Sequence, residues 1–139
     1  MSCELCELKA DVVWSDAKMS VILVDDAAYP GLVRVIWKDH VKEMSDLVDA
    51  DRLAVNDAVW RVELAVRAAM APHKVNVASL GNVVPHLHWH VIPRYADDAH
   101  FPGPVWCAAV RRTEEDILAA RRALLPNLRA EIVRRMNER

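Results

Sequence analysis

The chain has 139 residues, with 18 basic and 20 acidic side chains and a formal net charge of −2. It is long enough to bury about two-thirds of its unfolded surface, so a single domain over residues 1–139 is expected. The charge balance excludes a global basic field of the kind that binds duplex polyanions, so an anionic ligand must be captured locally and no nucleic-acid polymer is expected as a partner.

No segment approaches the roughly 18 uninterrupted apolar residues of a membrane span, and the first residues lack the basic-then-apolar pattern of a secretory leader. Three cysteines, two of them in Cys3-Glu4-Leu5-Cys6, make a poor disulfide framework. A reduced, cytoplasmic setting without a membrane partner is the expectation.

In chain order, Val12-Val13-Trp14, Met19–Val24 and Leu32–Trp37 are rich in β-branched residues and separated by turn-forming Ser15-Asp16 and Asp25 to Gly31. Such short connections favour an antiparallel meander. From Asp49 to Ala71 the period changes. Val55, Val59, Val62, Val66 and Ala69 form one stripe, with Arg52, Asp57, Arg61 and Glu63 off it, and Pro72 follows, which predicts an amphipathic helix.

Lys74–Leu80 and Leu87–Ile92 then read as strands joined through Gly81-Asn82, with Pro93 expected to block extension of the second. Beyond Pro102 and Pro104, Thr113-Glu114-Glu115-Asp116 resembles a capping arrangement before a helix over Ile117–Leu125, and another helix is expected after Pro126. The class is α+β: an antiparallel meander sheet, one long helix between strands, a core over about residues 3–107 and a C-terminal helical extension over 113–139.

His86-Leu87-His88-Trp89-His90-Val91-Ile92 carries the chemistry. With six histidines in the chain, an i, i+2, i+4 array arises by chance on the order of one per cent of the time. Strand alternation puts His86, His88 and His90 on one face and Leu87, Trp89 and Val91 on the other. Three neutral imidazoles on a buried face need partners for their ring nitrogens, and a ligand supplies them.

One alternative is a single three-histidine metal site, but the outer Cα atoms would lie roughly 13 Å apart along a strand, too far for one ion without a bulge. Another is a solvated or core-satisfied histidine face. Of the five tryptophans, Trp37 ends the Leu32–Trp37 run, Trp89 lies within the histidine array and Trp106 follows it, and their rings can fill core or wall a pocket. His73 and His100 read as surface residues, with His100 close enough to visit a pocket, and Cys107 has no evident partner.

The pattern His-φ-His-φ-His-φ-φ, with φ apolar, resembles the histidine triad family, and so do the strand leading through Leu32 to His40, Ile92-Pro93-Arg94-Tyr95 and Pro104-Val105-Trp106. The last two are similar to bacterial members close to diadenosine tetraphosphate hydrolases. This resemblance implies that His88 attacks an α-phosphorus and forms a nucleotidyl-histidine intermediate, that His90 donates to phosphate oxygens, and that His86 orients.

It implies phosphate or leaving-group contacts from Asn82 and Asn76 and ribose binding by Asp25, beside the plainer readings of Asp25 and Asn82 as turn residues. It further implies a structural zinc held by Cys3, Cys6, His40 and His86, with no cofactor needed for catalysis, and a homodimer. The substrate implied is a small nucleotide, cleaved at a phosphoanhydride, with a nucleoside phosphoramidase or a nucleotide-binding module of little turnover as alternatives. A proline common among relatives is replaced by Trp37, and the loop between Asn76 and His86 is about one residue shorter than in eukaryotic members.

Overall fold

The computed structural model describes residues 3–139. Strands β1 (Asp11–Ser15), β2 (Met19–Leu23) and β3 (Val33–Trp37) form the expected antiparallel meander. A short 3-10 turn, Met44–Asp46, leads into α1 (Asp49–Met70), followed by β4 (Lys74–Ala78), β5 (His88–Arg94), α2 (Glu115–Arg122) and α3 (Leu125–Asn137). All pairings are antiparallel, and the sheet order is β1-β2-β3-β5-β4. Helix α1 carries the chain past β3 to the outer edge, so the histidine-bearing β5 returns to an inner position with a partner on each side.

Two periodicities build the core. Helix α1 buries Val55, Ala58, Val59, Val62, Ala65, Val66, Ala69 and Met70. They meet Val21, Leu23, Val33, Val35, Trp89 and Val91 from one sheet face, and α3 adds Leu128, Ile132 and Met136. A charge at the fully buried Val62 would have no partner and would cost several kcal/mol or neutralise.

Helix α1 starts without a side-chain cap, but Asp49 and Asp51 in its first turn complement the helix dipole. It ends on Ala71, whose φ of 45° is left-handed and whose N–H returns to the Arg67 carbonyl. Gly31, at φ 93°, allows the β2–β3 turn to run against Met70, because a Cβ there would lie 2.8 Å from Met70 Cε.

Three local expectations are corrected. Strand β5 begins at His88, so His86 precedes the regular strand. It also runs through Pro93 to Arg94: β3 pairs no further than Val33 opposite Val91, so Pro93 lies beyond that ladder and removes no bond from it. Thr113 does not cap α2. Its hydroxyl donates to the Asp97 carbonyl 2.7 Å away, and α2 starts after Glu114 with no side-chain cap bond. Among the described residues, no helix is long and apolar enough to cross a membrane.

Candidate active site and metal centre

Residues directly opposite in the antiparallel pairs share a face. Ile22 faces Arg34, Arg34 faces His90, Ile36 faces His88, and Asn76 faces Ile92. The sheet face turned away from α1 therefore carries Ile22, Arg34, Ile36, His88, His90, Ile92 and Asn76. Its Ile22 and Ile36 end is covered by the N-terminal segment through Leu5, Cys3 and Leu8.

That covering brings the first histidine to the cysteines. His86 is fully buried, and its Nδ1 lies 3.5 Å from Cys3 Sγ, 3.4 Å from Cys6 Sγ and 3.2 Å from His40 Nδ1. Cys6 Sγ is 3.3 Å from His40 Nδ1, and all four ligand atoms lie within 4.8 Å of one another. A tetrahedral zinc with ordinary bond lengths would separate two nitrogens by about 3.3 Å and a nitrogen from a sulfur by about 3.6 Å. The donor set fits that ion. The other ring nitrogen, Nε2, donates to the Trp37 carbonyl at 2.5 Å, which fixes the tautomer a ligand needs.

His88 and His90 face open space. Nδ1 of His88 donates to the His86 carbonyl at 2.6 Å, which leaves Nε2 as the free nitrogen of a neutral ring. Ser79 holds the same strand position by donating to the His88 carbonyl at 2.7 Å. The rings of His88 and His90 meet edge to face at 5.0 Å, and Trp106 sits against His90 at 5.1 Å. Burial, then the positive charge of Arg34, then His88 push the His90 imidazole down to about 4, so it is neutral near pH 7.

Two hollows meet at His90. One, of about 480 Å³, is lined by His88, His90, Leu80, Gly81, Asn82 and Trp106, among others. The other, of about 230 Å³, is lined by Val24, Asp26, Leu32, Ile92, His100 and Val105, among others. His90, Arg34 and Trp106 line both. His86 lines neither.

Asn82 lies in the larger hollow with its side chain making no hydrogen bond to another described residue, and Gly81 before it takes a left-handed φ of 77°. Asp25 lines a separate hollow with Asp11, Arg122 and Arg129. Its neighbour Asp26 lines both that hollow and the smaller one at His90, with Oδ1 accepting from the Ala28 N–H at 2.9 Å. Asn76 shares the sheet face but lines neither hollow, and its Oδ1 accepts from Arg94 at 2.7 Å.

Arg94 is the largest fully buried side chain on that face. It forms a two-bond ion pair with Asp98 and donates to the Gly103 carbonyl at 2.7 Å. Burial alone would raise the Asp98 carboxyl, but Arg94 and the N–H groups of His100, Tyr95 and Phe101 outweigh it and hold it well below the usual carboxylate range. Tyr29 donates to Asp98 at 3.1 Å and lies 2.5 Å from His100 Nδ1. Burial, followed by the Asp98 charge, pushes its hydroxyl up to about 12.

His100 is thus part of this network and of the smaller hollow, not a plain surface residue. His73 is exposed as expected, and Cys107 is exposed as a free thiol. Sequence reading missed Arg34 and the Arg94 network. The available signal was a cation inside the apolar run Leu32–Trp37.

A five-stranded antiparallel sheet that carries alternating histidines on an inner strand, backed by one long helix, defines a histidine triad fold. The sequence model of the HIT domain matches residues 6–97, and the chain belongs to that family.

Among solved structures, a histidine triad protein from Bradyrhizobium japonicum is 26% identical, with a TM-score of 0.75 over 95% of this chain and 96% of that one. A histidine triad protein from Marinobacter aquaeolei VT8 is 27% identical, with a TM-score of 0.70 over 94% and 96%. A zinc-bound histidine triad family protein from Mycobacterium smegmatis shares the fold at 21% identity and a TM-score of 0.67, over 100% and 99%. An "AP-4-A phosphorylase" of Mycobacterium tuberculosis is 30% identical over 78 residues, which cover 52% of this chain and 40% of that relative's length.

Proposed function

We propose that the protein is a nucleotide hydrolase or transferase that splits a phosphoanhydride at an α-phosphate, with a dinucleoside polyphosphate such as diadenosine tetraphosphate as substrate. The observation that carries this reading is the 2.6 Å bond from His88 Nδ1 to the His86 carbonyl beside an open hollow. The bond commits Nδ1 as the donor and fixes the ring, so Nε2 is the nitrogen that carries the lone pair an attacking neutral imidazole requires. The similarity to an enzyme named for AP-4-A supports the substrate class.

In the first step the Nε2 lone pair forms a bond to the α-phosphorus, and the bridging P–O bond breaks, its electrons leaving with the remaining phosphate chain. His90, as a neutral N–H donor, holds charge developing on phosphate oxygen. Water then attacks the same phosphorus and gives up its proton to solvent, the P–N bond breaks, and the lone pair returns to Nε2. The Asn82 amide stands in the same hollow as a phosphate donor. Asp25 on the β2–β3 turn and Asn76 on β4 line neither hollow at the histidines, whereas Asp26 lines the smaller one with His90.

Cys3, Cys6, His40 and His86 would hold zinc with all four positions filled by protein. Such an ion ties the N-terminal segment to the sheet and orients the chain entering β5, and offers no open position to a substrate. On this assignment His86 serves His88 through its carbonyl. The protein is read as a homodimer, with Trp60 and Leu53 of α1 and Val77 of edge strand β4 exposed and available for pairing.

The test is acid-free quenching during turnover of a labelled dinucleotide. An adduct that is stable in base, labile in acid and absent from His88→Ala supports the covalent route. Turnover that persists in His88→Ala overturns it.

A further inference from the structure

Arg34 is an unusual cation in this chain. It sits on β3 directly opposite His90, on the same sheet face, and lines both hollows. Its Nε is buried and has no hydrogen-bond partner. No carboxylate lies within ion-pair distance of it among the described residues. Arg67 and Arg112 also lack such partners, but both are exposed to water.

The nearby acids do not serve Arg34. Glu4 lines the larger hollow but makes no ion pair with Arg34, and Asp26 in the smaller one spends Oδ1 on the Ala28 N–H. A guanidinium stays charged at any ordinary pH, and withdrawing one from water without a counter-charge is costly. The same fold satisfies Arg94 completely a few residues along the face. An arginine left open at the seam of two hollows therefore points to an anionic ligand that closes it.

We infer that Arg34 binds the anionic phosphate group beyond the scissile bond and makes the site selective for substrates whose leaving group is itself a phosphate chain. This rests on the nucleotidyl-transfer reading above and deepens it. The position suits the task. Arg34 is one strand over from the histidines, so it can hold the departing phosphates while His88 and His90 engage the transferred phosphoryl group, and its fork can take two phosphate oxygens at once.

The experiment compares two substrates with the same adenylyl group: diadenosine tetraphosphate, whose leaving group is ATP, and adenosine phosphoramidate, whose leaving group is ammonia. Arg34→Met keeps length and removes charge, and Arg34→Lys keeps charge and removes the fork. Arg34→Met is expected to lower kcat/KM on the dinucleotide roughly 10- to 100-fold, the range for a lost hydrogen bond to a charged group, and on the phosphoramidate by less than about threefold. Arg34→Lys should recover part of the loss.

Equal losses on both substrates would place Arg34 on the transferred phosphoryl group, and no loss on either would leave it without a ligand role. Both results overturn the inference. If the unaltered protein turns over neither substrate, the covalent chemistry fails, yet calorimetry still decides on Arg34. Tighter binding of ATP than of AMP, lost in Arg34→Met, supports the anion site, whereas an unchanged difference rejects it.

Discussion

Two parts of one sheet face treat the same side-chain types in opposite ways. At the closed ends the two fully buried groups are engaged: His86 uses both ring nitrogens, and Arg94 binds Asp98, Asn76 and the Gly103 carbonyl. In the open middle, His88 keeps one nitrogen free, His90 has no protein hydrogen bond among the described residues, and Arg34 Nε has no partner. Buried polar groups are normally satisfied, so the unsatisfied set marks where the fold awaits a ligand and the satisfied set marks what holds that region still. Burial alone does not separate the two, since His86, His88 and His90 are all buried.

The sharpest way to break this division is to remove one imidazole from each side. His88→Ala should lose on the order of 10⁴-fold or more in kcat/KM, with thermal stability close to that of the unaltered protein, because its free nitrogen serves a substrate and not the fold. Activity assays beside a melting curve check this. A collapse in stability with the loss of activity would move His88 to the structural side.

The two arginines give the next contrast. Asp98→Asn leaves Arg94 buried without its counter-charge and should cost about 3–5 kcal/mol in urea unfolding. Arg34→Met removes a cation that the protein itself does not pair, and should change stability by less than about 1 kcal/mol or raise it. Equal destabilisation by both would mean that Arg34 is held by the fold after all.

What the sequence revealed divides along the same line. Strand alternation and the stripe on α1 were legible because each is a local period, and the family pattern from His86 to Ile92 located the site. The Cys3, Cys6, His40 and His86 group also came from family resemblance, and the structure brings its four ligand atoms together.

Cross-strand register was not legible. Arg34 became visible only when β3 was set opposite β5, and Asp98 only when the loop after Arg94 folded back on it. Asp25 and Asp26 are equivalent as turn formers in sequence, and only the folded turn gives Asp26, and not Asp25, a place in the hollow lined by His90. Pro93 was read as a stop because sequence does not say where the neighbouring strand ends.

Metal removal tests the closed cluster more gently. Cys6→Ser, or prolonged chelation, should lower the melting temperature on the order of 10 °C, since zinc binding to the folded form alone adds to stability. Turnover per folded molecule should persist, and one zinc per chain should be found before treatment and none after. Immediate loss of turnover on chelation, before any unfolding, would instead put the metal in the chemistry.

The smallest expected effect concerns His90 and pH. Its folded-state value of about 4 lies below the ordinary imidazole value, near 6.5, that it regains on unfolding. As pH falls from 6.5 toward 4 the unfolded chain takes up the proton first, so stability is complete above 6.5 and is lost across that window. The full loss is at most about 3 kcal/mol.

The informative quantity is the difference between two proteins. His90→Gln should lose less stability between pH 7 and pH 5 in urea titrations than the unaltered protein does. Asp98, held well below the usual carboxylate range, keeps its ion pair through this window and does not blur the comparison. Identical pH slopes would show that His90 is not the depressed group. Where the slopes differ, nuclear magnetic resonance titration of Arg34→Met separates the causes, because loss of the neighbouring charge should move His90 back toward 6.5 while burial and His88 keep it from arriving there.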